Sequence, residues 1–314
     1  MKVLVTGGSG FIGSHVVDRL AAHGVNPVIY DQQRSLVHPQ QEHFLGSILD
    51  VEALRVAMNG AHAVIHLAAV ADVKDVFEDP SYAETVNTRG TLCVLEAARR
   101  CRVKRVIYGS TTWVYSDCPE TEVDEETPIP PPSHLYTATK LASEFYCRAY
   151  GRLYGLETTV LRFGIPYGPR ARDGAVIPIF VGKAFRGEPL TLAGDGSQFR
   201  QFVYVEDLAE GVALVLKPAA ANRLYNLDGG DRITIRQIAE TVREIMGSAE
   251  IAFTPARPGD FSGKAVSSER AAKDLGWRPS TPFREGMARY IAWFRSRHEQ
   301  QMTSWNKVDA ALRA

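Results

Sequence analysis

The opening turn of the chain limits what the rest can become. Val3, Leu4 and Val5 form an unbroken apolar run, as a parallel strand buried on both faces requires. Gly7, Gly10 and Gly13 follow at once, and an apolar periodic segment from Phe11 to Leu20 reads as a helix. In a strand–glycine turn–helix unit, Gly7 permits the tight turn and Gly10 lets the backbone approach a pyrophosphate. Gly13 lets the helix lie close on the strand. The first two glycines are one residue further apart than in the usual dinucleotide fingerprint, with the same physics. The helix start at Phe11 and Ile12 offers unpaired N–H groups and a partial positive charge to phosphates. A glycine-rich turn alone proves little, but here a strand precedes it and a helix comes after it. A second strand, Val28-Ile29-Tyr30, ends in Asp31. A carboxylate there takes both hydroxyls of an adenosine ribose and repels a 2′-phosphate, which predicts NAD over NADP. Arg34, close by in sequence, works against that preference.

Strand and helix patterns then alternate. Phe44 to Ile48 reads as a third strand, Asp50 to Met58 as a helix, and Ala63 to Ala69 as a buried strand. That last strand ends in Leu67, Ala68 and Ala69, whose small residues let the chain pass beneath a dinucleotide. Pro80 to Arg100 reads as one long amphipathic helix with Val86, Leu92, Leu95 and Ala98 on its apolar side. Val103 to Gly109 is a strand, and the hydroxyl-rich run Ser110-Thr111-Thr112-Trp113-Val114-Tyr115 stands at its end. Ligands of open α/β sheets bind outside the carboxyl ends of the strands, so this run is placed to meet a substrate. The pattern predicts right-handed βαβ crossovers and a doubly wound, Rossmann-type parallel sheet with helices on both faces.

Cys118 to His134 is acidic and proline-rich and reads as a connector. A helix from Tyr136 to about Tyr154 and a strand from Thr158 to Phe163 come next. After Gly164 prolines and glycines recur, which marks a smaller α/β domain over the substrate. It contains a helix from Ile177 to Arg186, short strands Leu190–Leu192 and Arg200–Tyr204, and helices Ile235–Met246, Ser268–Leu275 and Phe283–Arg297; Val205–Leu216 between them reads as a further helix. The polar tail after His298 is expected to fray or lie on the surface.

The stretch from Thr6 to His15, Thr-Gly-Gly-Ser-Gly-Phe-Ile-Gly-Ser-His, resembles the opening of extended short-chain dehydrogenases/reductases. The likeness is to the nucleotide-sugar epimerase/dehydratase branch and continues to about Trp293. It implies an NAD-binding domain over residues 1–165, with 203–228 packing back onto it, and a substrate-binding domain over 166–298. Residues 299–314 would form a polar tail. It also implies a homodimer through the helices around Pro80–Arg100 and Tyr136–Tyr154.

Tyr136 and Lys140 stand four apart on a helix, so their side chains share a side. A free phenol titrates near pH 10, and a neighbouring ammonium favours the phenolate. The pair, with oxidised nicotinamide beside it, is expected to act as a general acid/base. Tyr-x-x-x-Lys occurs by chance in many helices; here a dinucleotide fingerprint and a strand-end hydroxyl cluster precede it. The resemblance places the catalytic hydroxyl on Thr111, with Ser110 and Thr112 as neighbours able to compete. It places Asn87 at the nicotinamide ribose. Arg200 and Arg257 match the family's diphosphate arginines, the second in Arg257-Pro258-Gly259-Asp260, and Thr112 and Trp113 line the sugar.

Departures from the family pattern narrow the chemistry. Dehydratases of this family carry Asp-Glu after the catalytic hydroxyl, and decarboxylases keep a nearby Glu. This chain has Thr112 and Trp113, so redox with one acid/base remains. That is 4-epimerisation of a UDP-glucose/galactose or UDP-uronate type substrate, or NAD(P)H-dependent reduction of a keto sugar or other carbonyl. A non-catalytic cofactor sensor on the same fold is a third reading. Ile165 stands where the family has a substrate-binding asparagine, and Ser47 where an acidic residue often meets adenine.

Basic and acidic residues balance at 36 each, which gives no charge field for nucleic acid or a membrane surface. The four cysteines show no metal or disulfide spacing. Only Met1 and Lys2 stand before the first strand, so no secretory leader is expected, and a cytoplasmic location is.

Overall fold

The computed structural model describes the backbone of residues 1–247, 249–256 and 263–313, with side chains up to Glu299. Seven strands form an all-parallel sheet. They are β1 (Lys2–Thr6), β2 (Asn26–Asp31), β3 (His43–Leu45), β4 (Ala63–His66), β5 (Arg105–Thr111), β7 (Glu157–Phe163) and β11 (Leu224–Leu227). Their order is β11-β7-β5-β4-β1-β2-β3, so the winding direction reverses between β1 and β4. The crevice outside the carboxyl ends of these two strands is where such a sheet holds its ligand.

Helices α1 (Phe11–Ala22) and α8 (Val205–Leu214) cover one face of the sheet. Val16, Val17 and Leu20 meet Leu208 and Val212 there, over Val3, Val5 and Ile107. Helices α2 (Val51–Met58), α5 (Gly90–Arg100) and α6 (Leu135–Tyr154) cover the other face, where Leu54, Val94, Leu95 and Cys147 pack over Leu4, Val64 and Tyr108. Local signals set these ends. Asp50 caps α2 by accepting from the Glu52 and Ala53 amides, and Gly155 ends α6 in the left-handed region at φ 69°.

The remaining strands build a second layer. β8 (Ile165–Tyr167), β10 (Phe199–Tyr204) and β12 (Arg232–Thr234) form a sheet of order β12-β10-β8. β9 (Leu190–Ala193) pairs with β13 (Ile251–Thr254), and β6 (Glu122–Val123) pairs with β14 (Ala265–Val266). Helices α7 (Val176–Phe185), α9 (Ile235–Met246) and α11 (Phe283–Arg313) close a core with them around Phe180, Leu192, Phe202, Ile238 and Tyr290. The short helices are α3 (Val73–Glu78), α4 (Pro80–Glu84) and α10 (Glu269–Leu275).

Several elements differ from the sequence reading. The third strand stops at Leu45, because Gly46 turns against the Tyr30 hydroxyl, which donates to the Ser47 carbonyl at 2.8 Å. The strand at Ala63 ends at His66, before the small residues. The expected Pro80–Arg100 helix contains a π-turn over Thr85–Arg89, which adds a residue to one turn and rotates the rest of the helix about its axis. Leu92, expected on the apolar side, is consequently exposed. Leu190–Ala193 and Phe199–Tyr204 lie in different sheets. The last helix runs on through the polar tail, to Arg313.

Candidate active site

The glycine turn leaves no room for side chains. A Cβ on Gly13 would stand 2.1 Å from the Gly7 carbonyl oxygen, and one on Gly7, at φ 73°, would stand 2.7 Å from the Ala68 amide nitrogen. The β1 turn, the start of α1 and the chain after β4 are therefore in backbone contact, as a dinucleotide cradle requires. Gly10 caps α1 with no side-chain hydrogen bond, so the first-turn amides at Phe11 and Ile12 are open to a phosphate. Asp31, half-buried at the end of β2, accepts from the Ser9 amide at 3.0 Å and the Gln33 amide at 3.2 Å. Its carboxylate is thus fixed beside the glycine loop, while Arg34 is exposed. These residues fit NAD.

Leu67, Ala68 and Ala69, all half-buried, continue from β4 beside this loop. Behind them sits His66, which sequence reasoning did not single out. Its Nδ1 lies 2.7 Å from the Thr6 hydroxyl and its Nε2 lies 3.0 Å from the Thr91 hydroxyl. Thr91 donates to the Asn87 carbonyl at 2.6 Å, so Thr91 accepts from His66 Nε2–H and Thr6 donates to Nδ1. Burial first, then the Lys140 charge, push His66 down to about 3, so the ring is neutral. Asn87, in the π-turn, spends both amide hydrogens on Val70 O (3.0 Å) and Thr139 Oγ1 (3.2 Å), and its Oδ1 accepts from the Val70 amide at 2.8 Å. It braces the strand-end loop against α6 and reaches the cofactor region through that backbone.

Thr111 is the last residue of β5, and its hydroxyl accepts from the Trp113 amide at 3.2 Å. Tyr136, half-buried in the first turn of α6, lies close enough to Thr111 for that hydroxyl to favour its phenolate. One turn on, the buried Lys140 ammonium donates to the Gly109 carbonyl at 2.9 Å and lies 5.9 Å from the centre of the Tyr136 ring. The structure thus brings Thr111, Tyr136 and Lys140 together.

Burial pushes the Tyr136 phenol up to about 12; the charge of Arg172 and the nearby Thr111 hydroxyl oppose that rise. Burial also brings Lys140 down to about 8, against the favourable charge of Glu144. Desolvation of the Tyr136 ring dominates, and Lys140 is not among the groups that offset it. Arg172 sits on the loop after β8 and pairs with Asp72, the cap of α3, at 3.5 Å.

Behind the triad runs a buried network. Glu144 accepts from Ser110 at 2.5 Å and from Arg162 at 2.8 and 3.1 Å. Arg162 donates to the Tyr115 hydroxyl at 2.7 Å, which donates to Asn226 at 3.0 Å. Ser110 is therefore held by a carboxylate. The Lys-x-x-x-Glu spacing from Lys140 to Glu144 was the available signal for this.

Of the expected substrate residues, Thr112 is buried, and Trp113 is exposed with its ring edge-on to His134 at 6.3 Å. Ile165 is half-buried in β8 opposite Phe202, and Arg200 donates to its neighbour's carbonyl, Phe199 O, at 2.7 Å. Arg257 and Asp260 lie outside the described residues.

Residues 3–228 match the NAD dependent epimerase/dehydratase family. The chain belongs to that family. It is an enzyme of the extended short-chain dehydrogenase/reductase kind, and NAD is its cofactor. The UDP-glucose 4-epimerase of Mycolicibacterium smegmatis is 31% identical over 314 residues, covering 95% of this chain and 100% of that one. The UDP-glucose 4-epimerase of Thermus thermophilus, solved in complex with NAD, is 37% identical, with a TM-score of 0.85 over 94% of this chain and 99% of that one. The dTDP-glucose 4,6-dehydratase of Streptomyces niveus is nearly as similar, 30% identical over 94% of this chain and 93% of its own length. Within this family, then, identity at this level does not choose between epimerisation and dehydration. Among the described residues no helix is long and apolar enough to cross a membrane.

Proposed function

We propose that this enzyme is an NAD-dependent 4-epimerase of nucleotide sugars, acting on a UDP-hexose or UDP-uronate. The observation that carries the reading is the meeting of Tyr136, Thr111 and Lys140 where β5 ends, with Thr112 and Trp113 next in the chain and no carboxylate there to remove a carbon-bound proton. NAD, when bound, supplies the acceptor and donor of the C4 hydride and, as the oxidised pyridinium, a positive charge beside the phenol.

The chain's own residues manage one proton. Thr111 holds the C4 oxygen, and Tyr136 takes the hydroxyl proton as the C4–H bond breaks and returns it after the 4-keto sugar has turned over. A phenol near 12 is fully protonated at neutral pH, so it is a ready donor. As an acceptor it depends on the positive charges around it, among them Arg172. Arg172 also gives the site a cation that a C6 carboxylate would meet, which supports the uronate among the candidate sugars.

Phe145 and Leu153 on α6 and Leu92 on α5 are exposed apolar side chains, which supports a homodimer through these helices. The reading is tested by incubating the purified enzyme, without added reductant, with UDP-, dTDP-, GDP- and CDP-sugars and determining product stereochemistry at C4. A C4-inverted product is expected from a UDP-sugar. Turnover that consumes stoichiometric NAD(P)H would make the enzyme a reductase instead.

A further inference from the structure

One turn beyond Glu144 on α6, a cavity of about 390 Å³ opens between that helix and the chain entering β11. Arg148 and Arg152 line it from α6, and Arg223 lines it from the segment before β11. All three are exposed in the single chain, and none makes a side-chain hydrogen bond or ion pair among the described residues. Arginines on neighbouring elements are paired. Arg99 and Arg100 share Glu96, Arg105 holds Glu157, and Arg162 holds Glu144. Glu144 forms part of the inner wall, but its carboxylate is already taken by Arg162 and Ser110.

The chain carries equal numbers of basic and acidic residues, so this is a local concentration of charge and not part of a general excess. The site is also built. Asn222 adopts the left-handed conformation at φ 58°, and its side chain accepts from the Thr158 amide at 3.0 Å. That bond fixes the segment from which Arg223 projects. Three guanidinium side chains thus line one cavity from two elements.

We propose that this cavity binds a compact polyphosphate anion, free or as the phosphate tail of a nucleotide. Each guanidinium presents a planar fork of N–H donors suited to paired phosphate oxygens. One carboxylate would satisfy one fork, whereas a chain of phosphates reaches all three. The volume falls within the range of small-molecule pockets, roughly 300–1,000 Å³. The site is separate from the NAD cradle and from Arg200, and it does not depend on which sugar the enzyme turns over.

The test is isothermal titration of inorganic tripolyphosphate, and in parallel ATP, into the NAD-loaded enzyme. One saturable site per chain is expected, weakened about tenfold or more by Arg223→Ala and by the double change Arg148→Ala/Arg152→Ala. Arg223→Lys, which keeps the charge, should recover part of that loss, and Arg200→Ala should leave the affinity unchanged. Tighter binding of ATP than of tripolyphosphate would place a nucleoside in the cavity; equal binding would assign the site to phosphate alone. Absence of saturable binding would overturn the proposal. So would binding that survives the cavity substitutions or falls only with Arg200→Ala. No sugar turnover is read, so failure of the 4-epimerase reading leaves the result intact.

Discussion

The Lys140 ammonium donates to the carbonyl of Gly109, two residues before Thr111, so the helix carrying the acid/base is fastened to the strand carrying the hydroxyl. That fastening is stronger from a charged lysine, yet burial brings Lys140 down to about 8, and the neighbouring Glu144 carboxylate is the group that holds it up. Glu144→Gln should move the alkaline fall of kcat to lower pH, so that activity is lost more severely at pH 8 than at pH 6.5. The change also unpairs Arg162 and should lower Tm, so the profile is measured well below the melting temperature. A uniform loss at every pH would mean that Glu144 acts only through the fold.

Gly13→Ala tests the cradle. Its Cβ would stand 2.1 Å from a backbone oxygen, so a main-chain shift is unavoidable. NAD affinity should fall about tenfold or more while the far-UV spectrum is kept, read by the NAD released from purified protein. Unchanged NAD content would show that the glycine turn does not shape the cofactor site.

The Asp228 carboxyl, buried against Gly164, is pushed up to about 8 from an ordinary 3.8 by burial, opposed only by the Gly229 amide that donates to it. The folded chain therefore keeps a proton there that the unfolded chain has released, and stability falls as pH rises from about 4 to about 8. Asp228→Asn removes that loss. Its Tm gain over the parent should be larger at pH 8 than at pH 5; an equal gain at both would contradict the assignment.

Leu153→Glu places a charge on the exposed apolar face of α6, where Leu153 is 73% exposed in the single chain. Light scattering should show a dimer for the parent and a monomer for the variant, with little change in monomer secondary structure. A parent that is monomeric at micromolar concentration would remove the dimer from the account.

What could be read in advance was local. The strand, glycines and first helix lie within a few residues of one another, and Asp31 closes the next strand, so spacing alone carried the cradle. Tyr136 and Lys140 share a helix and were legible for the same reason. The missing parts depend on distant segments. β11 joins the main sheet beside β7 after the chain has passed through the second layer, and its short polar-flanked run carries no strand signal of its own. The Glu144–Arg162–Tyr115–Asn226 network draws on four separate elements. The π-turn over Thr85–Arg89 and the exposure of Leu92 were not legible from helical periodicity. The burial that raises the Tyr136 phenol in the protein alone is a tertiary feature that sequence does not show.

The central claim is that hydride leaves and re-enters C4 of a sugar while Tyr136 carries the proton. The most direct measurement is turnover of a UDP-hexose or UDP-uronate deuterated at C4, with the product examined by NMR. The account predicts inverted configuration with the deuterium still on C4, no net NADH, and at least about a hundredfold slower turnover in Tyr136→Phe. Deuterium lost to solvent, or a rate unaffected by Tyr136→Phe, would contradict it.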